Sequence, residues 1–283
     1  VDIVEKAPAK INLTLNVIDK RADGFHEMRM VMTSIDLADH LTFTERNDSK
    51  ITLSSNTAFM PLNKKNIVYQ AARILKEKFD VQSGVNIVID KQIPIAAGLG
   101  GGSSDAAATL RGLNRLWELN LNLEELAVIG EELGSDVPFC IYNKTAYATG
   151  RGEVINLIKE VPQCWVILVK PPKGISSWTV FGELDLKEIP QYDYHKMIEA
   201  INLNDYDGMV QHAGNALEDI SIRQQPDIKM IKEKMKKFGA DIAVMSGTGP
   251  TVYGLTQQYS KALRIVNGLK GFCKEVYLVR TLK

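Results

Sequence analysis

"PIAAGLGGGSSDAAATL", residues 94–110, sets four glycines among the five positions 98–102 and then runs into a segment of helix-forming composition. Glycine costs roughly 1 kcal/mol in a helix interior and brings no side-chain contacts. Concentrating Gly98, Gly100, Gly101 and Gly102 just ahead of a helix predicts a backbone that approaches something closely. The first N–H groups of a helix have no internal partner and carry partial positive charge, so an anion suits them. Ser103 and Ser104 add hydroxyl donors where an N-cap belongs. A side chain at positions 100–102 would obstruct a phosphate chain lying on this backbone. The competing reading is a flexible turn with close strand–helix packing, which leaves the serines and the helix start unexplained.

Two familiar glycine loops fit poorly. A P-loop ends in Gly-Lys-Ser/Thr, whereas Gly102 is followed by Ser-Ser-Asp. A Rossmann fingerprint needs glycine at its first, third and sixth positions, and counting from Gly98 the sixth is Ser103. A second glycine-bearing segment, "MSGTGPTVYGL" at 245–255, lies between apolar strands and reads equally as support for the same site or as a turn.

The flanks alternate strand and helix patterns. "APAKINLTLNV" places Ile11, Leu13, Leu15 and Val17 against Lys10, Asn12, Thr14 and Asn16, a strand with one buried and one polar face. "EMRMVMTSIDLAD" and "HLTFTER" read as two further strands, and "GVNIVIDKQIPI" as the strand entering the glycine loop. "NIVYQAARILKEKF" carries apolar residues at helical spacing, as do Leu110, Leu113, Leu116 and Trp117 after the loop. "LNLEELAVIGEELG" predicts a helix closed by Gly134 in the left-handed conformation. Beyond the strand "CWVILVKP" come several helical stretches and a final strand, "EVYLVR". The pattern is α+β with strands clustered early, divided near residue 160 into segments 1–160 and 161–283.

Composition narrows the class. Apolar residues make up 45% and charged residues 24%, the profile of a globular protein. Lysine plus arginine and aspartate plus glutamate number 34 each, so nothing suggests a nucleic-acid binder. The six-residue run "CWVILV" is far below the roughly 20 residues of a membrane span. The first residues carry no secretory signal pattern, and Cys140, Cys164 and Cys273 read as buried thiols of a reducing compartment. The expectation is a cytoplasmic protein with no nucleic-acid or membrane partner; oligomeric state is open.

"PIAAGLGGGSSDAAA" resembles the phosphate-binding motif of the GHMP kinase superfamily, "APAKINLTLNV" its first motif and "MSGTGPTVYGL" its third. "KINLTLNVIDKRADGFHE", "GSDVPFCIYNKTAYATGRGE" and "NALED" are similar to the branch whose alcohol substrate is methylerythritol carried on cytidine diphosphate. The correspondence runs from about residue 5 to the end of the chain, with the motifs in order. The resemblance implies a two-domain α+β GHMP kinase fold with a left-handed β-α-β feature and an active-site cleft between the domains. It implies transfer of the γ-phosphate of ATP to the substrate 2-hydroxyl, a step of non-mevalonate isoprenoid synthesis.

Roles carry over by position. The phosphate motif implies ATP binding by Pro94, Ile95, Ala96, Ala97, Gly98, Leu99, Gly100, Gly101, Gly102, Ser103 and Ser104, with Asn66 near adenine. An N-cap explains Asn66 equally well. Asp136 in "GSDVPF" matches the catalytic aspartate, although residue pattern alone makes it a helix cap ahead of Pro138. An unperturbed aspartate, with pKa near about 4, is ionised at neutral pH and accepts a proton only as the bond to phosphorus forms. Lys10 matches the catalytic lysine; its competing fate is a solvated strand residue. Asn12 shares that face and is placed on the substrate. In "GFHE" the family's cytosine-stacking tyrosine is Phe25, which keeps a ring face and loses the hydroxyl, and His26 is the hydrogen-bonding neighbour. Phe181 is the expected second aromatic. Magnesium is expected to arrive with ATP, with no protein ligand assigned.

Three alternatives remain at this level. A superfamily member acting on another alcohol would have no use for "GFH". A nucleotide-binding relative without catalysis would share the fold and the loop, and the presence of both Lys10 and Asp136 argues against it. A dehydrogenase conflicts with the glycine spacing.

Overall fold

The computed structural model describes residues 2–282. In chain order the elements are β1 (Asp2–Lys20), β2 (His26–Arg46), β3 (Ile51–Ser55), α1 (Ile67–Lys78), β4 (Gly84–Asp90), α2 (Gly101–Leu116), α3 (Leu123–Glu131) and α4 (Val137–Tyr142). There follow β5 (Ala146–Thr149), β6 (Val154–Leu157), β7 (Trp165–Lys170), α5 (Ser177–Gly182), α6 (Tyr194–Asn202), α7 (Tyr206–His212) and β8 (Gly214–Asn215). The chain closes with α8 (Glu218–Gln224), α9 (Asp227–Phe238), β9 (Ile242–Met245), β10 (Val252–Thr256), α10 (Tyr259–Lys270) and β11 (Glu275–Arg280). The α+β expectation holds.

Contacts gather the chain into two units that do not follow chain order. One holds the N-terminal stretch up to Ala9, Leu37–Ile95 and Gly100–Asn143; the other holds Lys10–Asp36, Ala96–Leu99 and the described chain from Lys144 onward. The long strands β1 and β2 each contribute residues to both.

In the first unit, β3 and β4 pair in parallel with α1 as the connection, and β4 pairs antiparallel with the His40–Arg46 part of β2. Val68, Ala71, Ala72 and Leu75 bury one stripe of α1. Helix α2 packs against α1 and α4. A Cβ at Gly112 would run into the Phe43 ring, so glycine there sets how closely α2 lies on β2.

In the second unit, the Met30–Met32 part of β2 pairs with β5, β5 pairs with β6, and Thr14–Leu15 of β1 runs parallel to β8. A separate antiparallel sheet has the order β11-β7-β10-β9, with α9 and α10 packed against it. Its strand β7 holds all of the "CWVILV" run but the cysteine, and Val166, Ile167, Leu168 and Val169 are all fully buried.

Three local expectations change. Strand β1 is buried on both faces from Ala7 to Val17, because its polar side chains find internal partners. Thr14 Oγ1 accepts the Val31 N–H at 3.2 Å, and the Asn16 amide both donates to and accepts from the Tyr192 backbone at 2.8 Å. The two strands expected over 27–46 are one strand of 21 residues. The expected break at Asp39 does not occur, since its carboxylate accepts the N–H groups of Gln92 and Ile93. Gly134 is not left-handed: α3, opened by a capping box between Asn122 and Glu125, ends at Glu131 with Glu132 still in right-handed geometry.

Candidate active site

The glycine loop resolves into four separate reasons for glycine. Gly98 has φ +76°, and a Cβ there would strike the Ser246 carbonyl oxygen. Gly100 is the N-cap of α2 and sits in the left-handed region at φ 67°. At Gly101 a Cβ would point into protein, 3.1 Å from Ile93 Cγ2 and 3.5 Å from Lys91 Nζ. Gly102 opens outward: its nearest neighbour would be Ile67 Cγ2 at 3.9 Å. The missing side chains therefore serve packing at Gly98 and Gly101 and backbone conformation at Gly100. At Gly102 they leave space for something outside the chain.

The serines differ from expectation too. Neither caps the helix, since α2 begins at Gly101 and Gly100 offers no side chain. Ser104 is buried, with its hydroxyl donating to Pro8 O at 2.7 Å and its N–H to Gly100 O at 2.8 Å. Both Ser104 donors thus face inward, and Ser103 is the serine of the pair left partly exposed. The N–H groups that precede the first internal helix bond carry the positive end of α2.

Within the second unit the two glycine-bearing segments support each other. Ser246 Oγ donates to Gly98 O at 2.9 Å and Thr251 N–H to Ala97 O at 3.3 Å. The 246–251 turn is itself held by "NALED". Asn215 Nδ2 donates to Met245 O and Gly247 O at 2.8 and 2.7 Å, and Glu218 Oε2 accepts the Met245 N–H at 2.8 Å. Lys10 N–H donates to Leu99 O at 3.0 Å, fixing the same segment from β1.

Asp136 occupies the N-cap position of α4, yet its side chain makes no capping bond and its backbone is right-handed. The cap reading therefore loses its basis at this residue. Lys10 is 4% exposed, not a solvated strand lysine, and its Nζ donates to Asn12 Oδ1 at 2.8 Å. Asn12 is fully buried, its Nδ2 near Met30 Sδ at 3.4 Å and its carbonyl accepting the Tyr253 hydroxyl at 2.9 Å. Asn66 is the N-cap of α1: Oδ1 accepts from Val68 N–H at 2.8 Å and Nδ2 donates to Pro61 O at 2.7 Å. Its side chain is thus already engaged at both ends.

In the second unit, Phe25 is 54% exposed with the Arg151 guanidinium 5.2 Å from its ring centre. Phe181 stacks on His26, with ring centres 5.1 Å apart and planes 17° apart. Burial, and then the nearby Lys20 charge, lower the His26 pKa, so the imidazole is neutral at pH 7.

Sequence reasoning missed a buried cluster in the first unit. Lys91 Nζ, just ahead of the loop, donates to Asp39 Oδ2 at 2.5 Å and to Asp105 Oδ2 at 2.7 Å. Asp39 and Asp105 are buried. The signal was available as an aspartate inside the alanine-rich start of α2, at a position facing the core. Among the described residues no group of three or more His, Cys, Asp or Glu side chains is placed to hold a metal ion, and no helix is long and apolar enough to cross a membrane. Cys140 and Cys164 are buried, and Cys273 only partly so.

The GHMP kinase N-terminal domain model matches residues 66–144 and the GHMP kinase C-terminal model residues 196–275. The chain is 54% identical over 280 residues to 4-diphosphocytidyl-2-C-methyl-D-erythritol kinases of Bacillus cytotoxicus and Bacillus cereus, covering 99% of this chain and 97% of theirs. A crystal structure of 4-(cytidine 5'-diphospho)-2C-methyl-D-erythritol kinase superposes with a TM-score of 0.85 at 28% identity, covering 99% of this chain and all of that one. A homoserine kinase from Cytophaga hutchinsonii shares the fold, with a TM-score of 0.77 at 16% identity over 98% of this chain and 94% of that one. The chain is a kinase, with ATP as its phosphate donor, and it belongs to the GHMP kinase family.

Proposed function

We propose that this kinase phosphorylates the 2-hydroxyl of 4-diphosphocytidyl-2-C-methyl-D-erythritol, a step of non-mevalonate isoprenoid synthesis. The observation that carries the substrate reading is 54% identity over 99% of the chain to relatives bearing that kinase's name. The phosphates of ATP lie on the N–H groups at the start of α2, where the outward-facing Gly102 leaves room for them. Magnesium arrives with ATP, held mainly by phosphate oxygens and water.

Phosphoryl transfer has a loose transition state, so positioning and charge matter more than a strong base. The 2-hydroxyl oxygen forms its bond to the γ-phosphorus as the bond from that phosphorus to the β–γ bridging oxygen breaks, and ADP leaves. Asp136, its carboxylate not committed to capping α4, takes the hydroxyl proton as the new bond forms. Lys10 supplies a buried positive charge that offsets the phosphoryl oxygens, oriented by Asn12. Phe25 offers its exposed ring face to cytosine, with the neutral His26 beside it as a hydrogen-bonding group. The stack of His26 on Phe181 favours a supporting role for Phe181 behind the imidazole.

A coupled ADP-release assay with Mg-ATP and the cytidine-bearing alcohol, run beside mevalonate and homoserine, tests the reading. Turnover on the cytidine-bearing substrate alone is expected. Turnover on another alcohol would overturn the assignment of Phe25 and His26 and leave the phosphate loop in place.

A further inference from the structure

The base of α2 rests on one buried cation and two buried carboxylates. Asp39 reaches in from β2, Lys91 from the segment entering the glycine loop, and Asp105 from the second turn of α2 itself. Asp39 Oδ1 also accepts the N–H groups of Gln92 and Ile93, at 2.5 and 2.8 Å, so this carboxylate clasps the strand end leading into the loop. The Gly101 backbone lies directly over Lys91: a Cβ there would come within 3.5 Å of its Nζ. The cluster is thus the floor of the helix start that takes the ATP phosphates, and this inference rests on that reading.

Two carboxylates facing one ammonium carry a net negative charge, which is costly to bury. One proton removes it. Asp105 Oδ1 is buried without a hydrogen-bond partner, as befits a side chain that is not simply an ionised acceptor in a salt bridge. Burial first, with the nearby Asp39 adding to it against the opposing pull of Lys91, pushes the Asp105 pKa up to about 8. Burial opposes the charge on Lys91, but the two carboxylates outweigh it and the ammonium persists. Among the described residues, Lys91 and Asp39 are the charges that act on Asp105, and the charged side chains of the two flanking helices have partners elsewhere. On α1, Arg73 pairs with Glu77, Lys76 with the carbonyls of Gln82 and Ser83, and Lys78 with Glu132 of the α3 end. On α2, Arg111 and Arg115 pair with Glu5 of β1.

We propose that Asp105 is a positioning residue for ATP: carrying a proton, it keeps the Asp39–Lys91 floor of α2 electrically neutral, and losing that proton places a negative charge under the phosphate-binding turn. Nucleotide affinity then falls as pH rises through the Asp105 titration. The sign for stability is the same. The proton is bound more tightly in the folded chain than in the unfolded one, so this contribution is full below the ordinary carboxylate range and is lost as pH rises toward about 8.

Asp105→Asn mimics the protonated carboxyl, with its oxygen facing Lys91 and its amide able to donate to Asp39. The KM for ATP should rise about tenfold between pH 7 and 9.5 in the native enzyme and stay flat in the variant, the change expected of one nearby like charge. The γ-phosphate has finished ionising below that window. Thermal stability of the nucleotide-free proteins, from pH 5 to 9, should fall with pH more steeply in the native chain than in Asp105→Asn. Infrared titration of the native protein reads the proton without any variant: a protonated carboxyl band present at pH 7 should disappear by pH 9.5. Absence of that band at pH 7 overturns the proposal, as do parallel KM profiles in the two proteins. Failure of the phosphate reading itself would register separately, as ATP affinity insensitive to a bulky side chain at Gly102 while the infrared band remains.

Discussion

The Ser246 hydroxyl donates to the Gly98 carbonyl at 2.9 Å, tying the third sequence motif to the phosphate motif across 148 residues of chain. Gly98 has no room on the other side of this contact, because a Cβ would strike the Ser246 backbone. Gly98→Ala should therefore combine a left-handed strain with a steric clash and destabilise the fold by more than about 1 kcal/mol. Ser246→Ala removes one hydrogen bond and should cost only about 1 kcal/mol. Thermal denaturation of both variants, with ATP affinity measured beside it, gives the comparison; equal effects would deny the close approach its role.

Gly101 and Gly102 separate packing from ligand access. Gly102→Val points an isopropyl group outward, with no contact tighter than an ordinary one to Ile67, and removes a glycine from a helix, so its melting temperature should match or exceed that of the native chain. Its ATP affinity should fall by more than about tenfold, the loss of one or more contacts worth about 1.4 kcal/mol. Gly101→Val drives into Ile93 and Lys91 and should lose stability first. Calorimetric ATP titration of both variants decides the matter, and undiminished affinity in Gly102→Val would return the loop to a turn-forming role.

Asp136→Ala tests catalysis against structure. The side chain makes no capping bond to α4, so the usual cap loss of about 1 kcal/mol is not expected. Turnover should drop by about 10² to 10⁴ while KM for ATP stays near the native value. A variant that melts markedly earlier and keeps its turnover would make Asp136 a structural residue after all.

The parts of this site readable in the sequence were those written in contiguous residues. The glycine run, the alternation of β1 and the Asp-Val-Pro start of α4 each announce themselves locally. What was not legible came from partners far away in the chain. Nothing near Asp39 reveals that the N–H groups of Gln92 and Ile93 satisfy it, so an apparent strand break is the middle of β2. Nothing near Ser104 shows that Pro8 takes its hydroxyl. The alternation of β1 left a solvated lysine as the competing fate of Lys10, which is buried, and the Tyr253 hydroxyl that meets the neighbouring Asn12 carbonyl comes from more than two hundred positions away. Hydrogen bonds of this kind override local polarity, since a satisfied polar group is cheap to bury.

His26 supplies the last test, through pH. Its pKa lies below the ordinary histidine value, first because burial disfavours the imidazolium and then because Lys20 repels it. The ring is stacked on Phe181, and in the proposed reading its neutral form meets cytosine. A depressed folded pKa means that the unfolded chain takes up this proton first as pH falls. Its contribution to stability is therefore present above the ordinary histidine range and lost as pH drops through the folded value. KM for the cytidine-bearing substrate should accordingly be constant from neutral pH upward and rise on the acid side of the ordinary histidine range, where the ring acquires charge. His26→Gln keeps a hydrogen-bonding group without titrating, and should flatten the acid limb while leaving the KM for ATP unaltered. An acid limb that persists unchanged in His26→Gln would assign it to another group and remove the imidazole from substrate recognition.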